Sequence, residues 1–179
     1  MDLTKLNKER KHISEISEKD EGKKVSVAGW LYDRRDLGKI RFILLRDISG
    51  EIQVTAIKGE CEQEIYEEMA KANRESVVYV FGKIVKNNKA PGGREIVPEN
   101  FEIISQAEQP LPIDVSDFSK TELPKRLDNR FLDTRRKNIS SIFKIRSSIY
   151  KNVVDFFDKE GFVIINTPKI TTIGLESGA

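Results

Sequence analysis

IRFILLRDISGEIQVTAI, Ile40 to Ile57, is the stretch on which the fold turns. Two β-rich runs, Ile40–Asp47 and Glu51–Ile57, flank the turn pair Ser49-Gly50, the pattern of a hairpin. In the second run Ile52, Val54 and Ala56 alternate with Glu51, Gln53 and Thr55. That period of two turns one face to a core and the other, with Gln53, to water. In the first run Ile40, Phe42 and Leu44 share one parity while Ile43 and Leu45 share the other, so neither face is polar. Read by its residues alone, that strand favours Phe42 as a core side chain.

Toward the N-terminus Val25–Asp33 adds a strand, joined through Leu37-Gly38, and the first three strands form an antiparallel meander. Toward the C-terminus Glu62–Arg74 carries Ile65, Met69 and Ala72 at helical spacing in a glutamate-rich background. Ser76–Lys86 and Arg94–Ile104 then read as two more strands, joined by NNKAPGG, Asn87 to Gly93. Five short strands with one helix between the third and fourth is the order of an OB-fold. This all-β Greek-key barrel binds nucleic acid on the face of its second and third strands. Residues 1–21 are polar and lysine-rich and are expected to form a mobile leader with at most one helical turn, so the barrel domain is expected over 22–107.

Residues 108–137 are expected to form a hinge, with Pro110, Pro112 and Pro124 and little apolar periodicity. Beyond it Ile142, Ile145, Ile149, Val153 and Phe156 recur at spacings of 3, 4, 4 and 3, the stripe of a helix of about 20 residues. Asn138 is a fair N-cap, and Lys159 and Gly161 close the helix. A strand, Phe162–Asn166, is expected to end at Thr167-Pro168, because proline lacks the donor a sheet interior needs.

Composition narrows the function classes. The 179 residues carry a net charge of +2, one cysteine (Cys61) and one histidine (His12). A disulfide framework and a Cys/His zinc cluster are thereby excluded, and a reducing compartment is expected. No apolar run approaches the roughly 20 residues of a bilayer span, and the N-terminus does not read as a signal peptide. Charge is uneven: Lys23 to Arg46 holds seven basic residues against two acidic ones, whereas Glu60 to Ala70 holds five glutamates and no base. Two solvated faces, the commoner reading of charge runs, and a basic groove facing phosphates with an acidic helix turned away both fit that pattern, and composition alone does not choose.

Three motifs carry a resemblance: GWLYDRRDLGKIRFILLRD (Gly29–Asp47), TELPKRLDNRFLDTRR (Thr121–Arg136) and GFVIINTPKI (Gly161–Ile170). In this order they resemble aspartyl-tRNA synthetase of the archaeal and eukaryotic type, a class IIb enzyme, from about Val25 to Ala179. The resemblance implies an anticodon-binding OB-fold, the hinge, and over 138–179 the first helix and strand, motif 1, of an α/β catalytic domain. The full protein would then be a cytoplasmic aspartate–tRNA ligase. It would activate aspartate with ATP and Mg2+ and charge tRNA(Asp), as a homodimer with neither membrane nor DNA as partner. The alternatives are an asparaginyl-tRNA synthetase, whose barrel is similar down to an APGG loop but whose hinge differs, and a stand-alone OB-fold module that binds nucleic acid.

The same resemblance gives roles to residues. Phe42 falls where the family stacks an aromatic ring on the middle anticodon base, and Gln53, 11 residues later, where that base is read. Glu95 falls where a carboxylate meets the N1 and N2 of the first, guanine-derived base, and Arg35 on an arginine that holds a phosphate or a base. By physics alone Gln53 and Glu95 would be ordinary surface residues. Pro168 takes the dimer-interface proline, and Glu176 the glutamate of a loop that closes over the adenylate, with Ser177 where glycine is usual. Tyr32 and Pro91 occupy positions associated with tRNA specificity. Pro91 offers neither donor nor charge, as in relaxed members that charge both tRNA(Asp) and tRNA(Asn), while Tyr32 fits neither subgroup. An arginine motif for ATP phosphates, a GxGxxG and a P-loop are all missing, so catalysis is not expected in these 179 residues.

Overall fold

The computed structural model describes residues 10–116, 118, 120–168 and 170. They fall into two compact units, Met1–Pro110 and Leu111–Ala179.

The first unit is a closed five-stranded barrel: β1 (Lys24–Asp36), β2 (Ile40–Arg46), β3 (Glu51–Ile57), β4 (Val77–Lys86) and β5 (Arg94–Ser105), ordered β1-β2-β3-β5-β4. The first three strands form the antiparallel meander, and β4 pairs antiparallel with both β1 and β5. Closure falls to a short parallel ladder between β3 and β5, Gln53 opposite Glu95 and Val54 opposite Ile96. Two glycines allow the strands to coil this tightly. A Cβ at Gly29 would lie 2.3 Å from the Arg46 carbonyl oxygen, and one at Gly82 2.2 Å from that of Val97.

Alternation fills the interior. Val27 and Leu31 of β1, Ile43 and Leu45 of β2, Val54 and Ala56 of β3, Val78 and Val80 of β4 and Ile96 of β5 are fully buried. Helix α1 (Gln63–Lys71) buries Ile65, Tyr66 and Met69 and leaves Glu62, Glu64 and Glu67 in solvent. Phe42 lies in the other register, half-buried beside the fully buried Ile43 and Leu45. The core assignment that its own strand favours is therefore corrected: β2 hides the parity of Ile43 and Leu45, and the apolar residues of the opposite parity stand on the outer surface.

The expected leader is also corrected where it is described. Ile13 and Ile16 belong to the barrel core, on two 3-10 turns at Ile13–Glu15 and Glu18–Asp20. Backbone bonds hold the segment, with Lys11 N–H donating to Ser26 O at 2.8 Å and Gly22 N–H to Ile84 O at 2.9 Å. Asp47 acts as its clasp. One carboxylate oxygen accepts from Ile13 N–H at 2.9 Å, the other from the Ser49 amide and hydroxyl and the Gly50 amide at 2.7 to 2.8 Å. Burial would raise the Asp47 carboxyl, but these donors together hold it below the ordinary carboxylate range. Asp20 binds Lys11 at 2.7 Å and caps Ser17 N–H at 3.0 Å, and the Lys11 bond chiefly lowers it to about 2.

In the second unit the hinge is more regular than its prolines imply. It carries α2 (Leu123–Asp128) and α3 (Arg130–Asp133), then α4 (Lys137–Lys159). Buried Asp133 joins them, accepting two bonds from Arg126 at 2.8 and 3.1 Å and one from Arg136 at 3.3 Å. The N-cap of α4 is Arg136, not Asn138, whose side-chain oxygen instead accepts from Ile139 N–H at 2.8 Å. At the other end Gly161 N–H donates to Asp158 O and Phe162 N–H to Phe157 O, and the Phe157 and Phe162 rings meet edge-to-face. This is the Schellman closure that Gly161, at φ 84°, permits. The strand expected over Phe162–Asn166 is absent: these residues are exposed and irregular, because a strand needs a neighbour and no described residue pairs with them. Ile142, Ile145, Ile149, Val153 and Phe156 are all exposed along α4.

Candidate nucleic-acid interface

The outer face where β2, β3 and β5 meet assembles most of the expected residues. Across it Arg35 stands opposite Phe42 and Phe42 opposite Thr55, while in the neighbouring row Leu44 faces Gln53 and Gln53 faces Glu95. Phe42 and Gln53 are thus diagonal neighbours on one face. Arg35 extends into solvent, its side chain 77% exposed and its Nε 3.4 Å from Asp33.

One oxygen organises the polar half of this face. Glu95 Oε2 accepts from Gln53 Nε2 at 2.8 Å, Thr55 Oγ1 at 2.5 Å and Asn87 Nδ2 at 3.0 Å. Gln53 Nε2 also reaches Thr55 Oγ1 at 3.2 Å. Asn87 is oriented by its own carbonyl, which accepts from Lys89 N–H at 3.0 Å in the β4–β5 loop. Thr55 and Asn87 are the members the sequence pattern does not disclose. Thr55 looks like one more outward residue of β3, and its partner lies 40 positions away on a strand that it does not itself oppose.

The basic run from Lys23 to Arg46 proves mostly structural. Arg41 lies 3.9 Å from the Tyr66 ring centroid and binds Asp36 at 2.7 Å. Arg34 donates to the carbonyls of Ala70 and Ala72 at the end of α1, and Lys24 pairs with Glu99. Arg35 and Lys39 remain exposed. Tyr32 sits at an irregularity in the β1–β2 ladder, between paired Leu31 and Asp33, with the Arg46 guanidinium 3.5 Å over its ring. Its carbonyl accepts from Arg74 Nε at 3.1 Å. Pro91 is exposed and opens the turn Pro91–Gly93 that leads into β5. Pro168 is exposed, and Glu176 lies outside the described residues.

Residues 25–104 match the family model of the OB-fold nucleic acid binding domain, and residues 122–179 that of the class II tRNA synthetases (D, K and N). The aspartate–tRNA(Asp) ligase of Pyrococcus abyssi is 50% identical over 93% of this chain and 38% of its own length. The chain is thus similar to aspartate–tRNA ligases of the archaeal type. It spans about two-fifths of the length of the curated relatives it matches. The aspartate–tRNA(Asp/Asn) ligase of Archaeoglobus fulgidus is 40% identical over 94% of the chain and 39% of that relative. Among solved structures, asparaginyl-tRNA synthetase from Pyrococcus horikoshii complexed with asparaginyl-adenylate superposes with a TM-score of 0.85 at 29% identity, over 96% of this chain and 39% of that one. The fold is thus common to both groups, and the curated relatives at 40 to 50% identity are aspartate–tRNA ligases.

Proposed function

We propose that this chain is the anticodon-reading portion of an aspartate–tRNA ligase. The observation that carries the proposal is the juxtaposition on one barrel face of an outward aromatic ring, Phe42, with the coupled amide and carboxylate of Gln53 and Glu95. An unstacked base needs a π-platform and an edge-reading group side by side, and this face offers both with Arg35 at its margin. The full protein would activate aspartate with ATP and Mg2+ in the cytoplasm and transfer it to tRNA as a homodimer. Among the described residues no three acidic, histidine or cysteine side chains converge to hold a metal ion, so no step of that chemistry is assigned to them. No described helix is long and apolar enough to cross a membrane.

Titrating the 179-residue chain with anticodon stem-loop RNA of tRNA(Asp) sequence tests the reading. Binding that a change of the first or middle anticodon base weakens at least tenfold supports it, and equal affinity for all loops overturns it.

Relatives of both the Asp and the Asp/Asn kind match this chain, and of the two specificity positions Pro91 favours the relaxed kind. Pro91 has no N–H and no charge with which to restrict the third base. Tyr32 is occupied by Arg46. We therefore propose that the full-length enzyme charges both tRNA(Asp) and tRNA(Asn). A preference for tRNA(Asp) of 100-fold or more in kcat/KM, about 2.7 kcal/mol, would exclude this.

A further inference from the structure

A base-reading amide at Gln53 has two edges, a donor and an acceptor, and which one faces the RNA decides which base is accepted. The hydrogen bonds settle the direction. The Gln53 amide nitrogen is turned into the protein, 2.8 Å from Glu95 Oε2 and 3.2 Å from Thr55 Oγ1. Thr55 accepts that bond because it spends its own proton on Glu95, at 2.5 Å. Turning the amide over would set its carbonyl oxygen against a carboxylate oxygen and a hydroxyl oxygen whose only proton is already committed. The carbonyl therefore faces away from the cluster.

We infer that Thr55 is a positioning residue for base selection: its hydroxyl, with Glu95, holds the Gln53 amide nitrogen in the cluster so that the carbonyl oxygen, a hydrogen-bond acceptor, is presented to the middle base. This inference rests on the anticodon reading proposed above. A uracil edge, whose N3 carries a proton, matches that acceptor, whereas the unprotonated N3 of cytosine meets it lone pair to lone pair. The same arrangement divides the work of Glu95. Its Oε2 is saturated by three donors, and its Oε1 has no donor among the described residues and is the atom left to meet the neighbouring base.

The experiment compares stem-loops carrying uracil or cytosine at the middle anticodon position, bound to the 179-residue chain and to the Thr55→Val and Thr55→Ser variants. Valine keeps the shape of threonine and deletes the hydroxyl; serine restores it. The expected result is a fall of about tenfold, ~1.4 kcal/mol, in the uracil-over-cytosine ratio for Thr55→Val, with the ratio recovered in Thr55→Ser. Thermal melts verify that each variant is folded, and Thr55→Ala replaces the valine variant if that one melts early. A folded hydroxyl-free variant with the wild-type ratio overturns the positioning role. Wild-type protein with no preference between the two loops, unchanged by Gln53→Ala, overturns instead the base reading on which it rests.

Discussion

At the scale of single residues, Phe42 separates two kinds of burial that composition cannot tell apart. It is apolar and on a strand, yet it stands on the side of β2 opposite Ile43 and Leu45. Phe42→Ala is accordingly expected to weaken stem-loop binding by about 1 to 3 kcal/mol through lost stacking. Thermal stability should change little, since no core volume is emptied. A large fall in melting temperature with equal losses on cognate and non-cognate loops would return Phe42 to the core. Gln53→Ala is expected to lower selectivity at the middle base more than it lowers overall affinity. In the second unit Asp133 is the opposite case, a buried carboxylate with two guanidinium partners. Asp133→Ala leaves both without it and should cost that unit about 2 to 3 kcal/mol, read as earlier unfolding or faster proteolysis within 121–136.

Among the elements, those with a clear period were legible and those held by a few distant bonds were not. β3 and α1 follow from the alternation of Ile52, Val54 and Ala56 and from the spacing of Ile65 and Met69. The N-terminal segment gives no such signal, because two isoleucines and the Asp47 clasp secure it, and that clasp lies 34 residues away. The strand after α4 failed for the converse reason: its residues favour β-structure, but pairing is not a property of one segment. Of the candidate interface, Phe42, Gln53 and Glu95 were reached through resemblance, whereas Thr55 and Asn87 needed the β3–β5 register. The clasp also predicts a pH response. Asp20 and Asp47 titrate lower in the folded protein than in the unfolded chain, so their stabilisation is present above the ordinary carboxylate value of 3.8 and drains as pH falls below it, for Asp20 toward about 2. Hydrogen exchange should show the amides of residues 11–22 losing protection in that window before the barrel strands do. Asp47→Asn should produce the same loss at neutral pH.

For the molecule as a whole, the similarity covers about two-fifths of each relative's length, and the proposed ligase chemistry is not expected of these 179 residues alone. The 179-residue chain is expected to give no aspartate-dependent ATP–pyrophosphate exchange above background in preparations free of host synthetase. The exposed stripe of α4 is expected to drive self-association, and Ile149→Asp should shift sedimentation toward the monomer. One consequence follows from the barrel's parallel ladder. Only two residue pairs join β3 to β5, and one of them is Gln53 with Glu95, the pair proposed to hold consecutive bases. RNA lying across that seam is a suture. Each base contact adds a stitch between strands that the protein itself ties most sparingly, so ligand binding and barrel closure become one equilibrium. A barrel loosened by mutation at the seam should bind more weakly and be the one that RNA strengthens most.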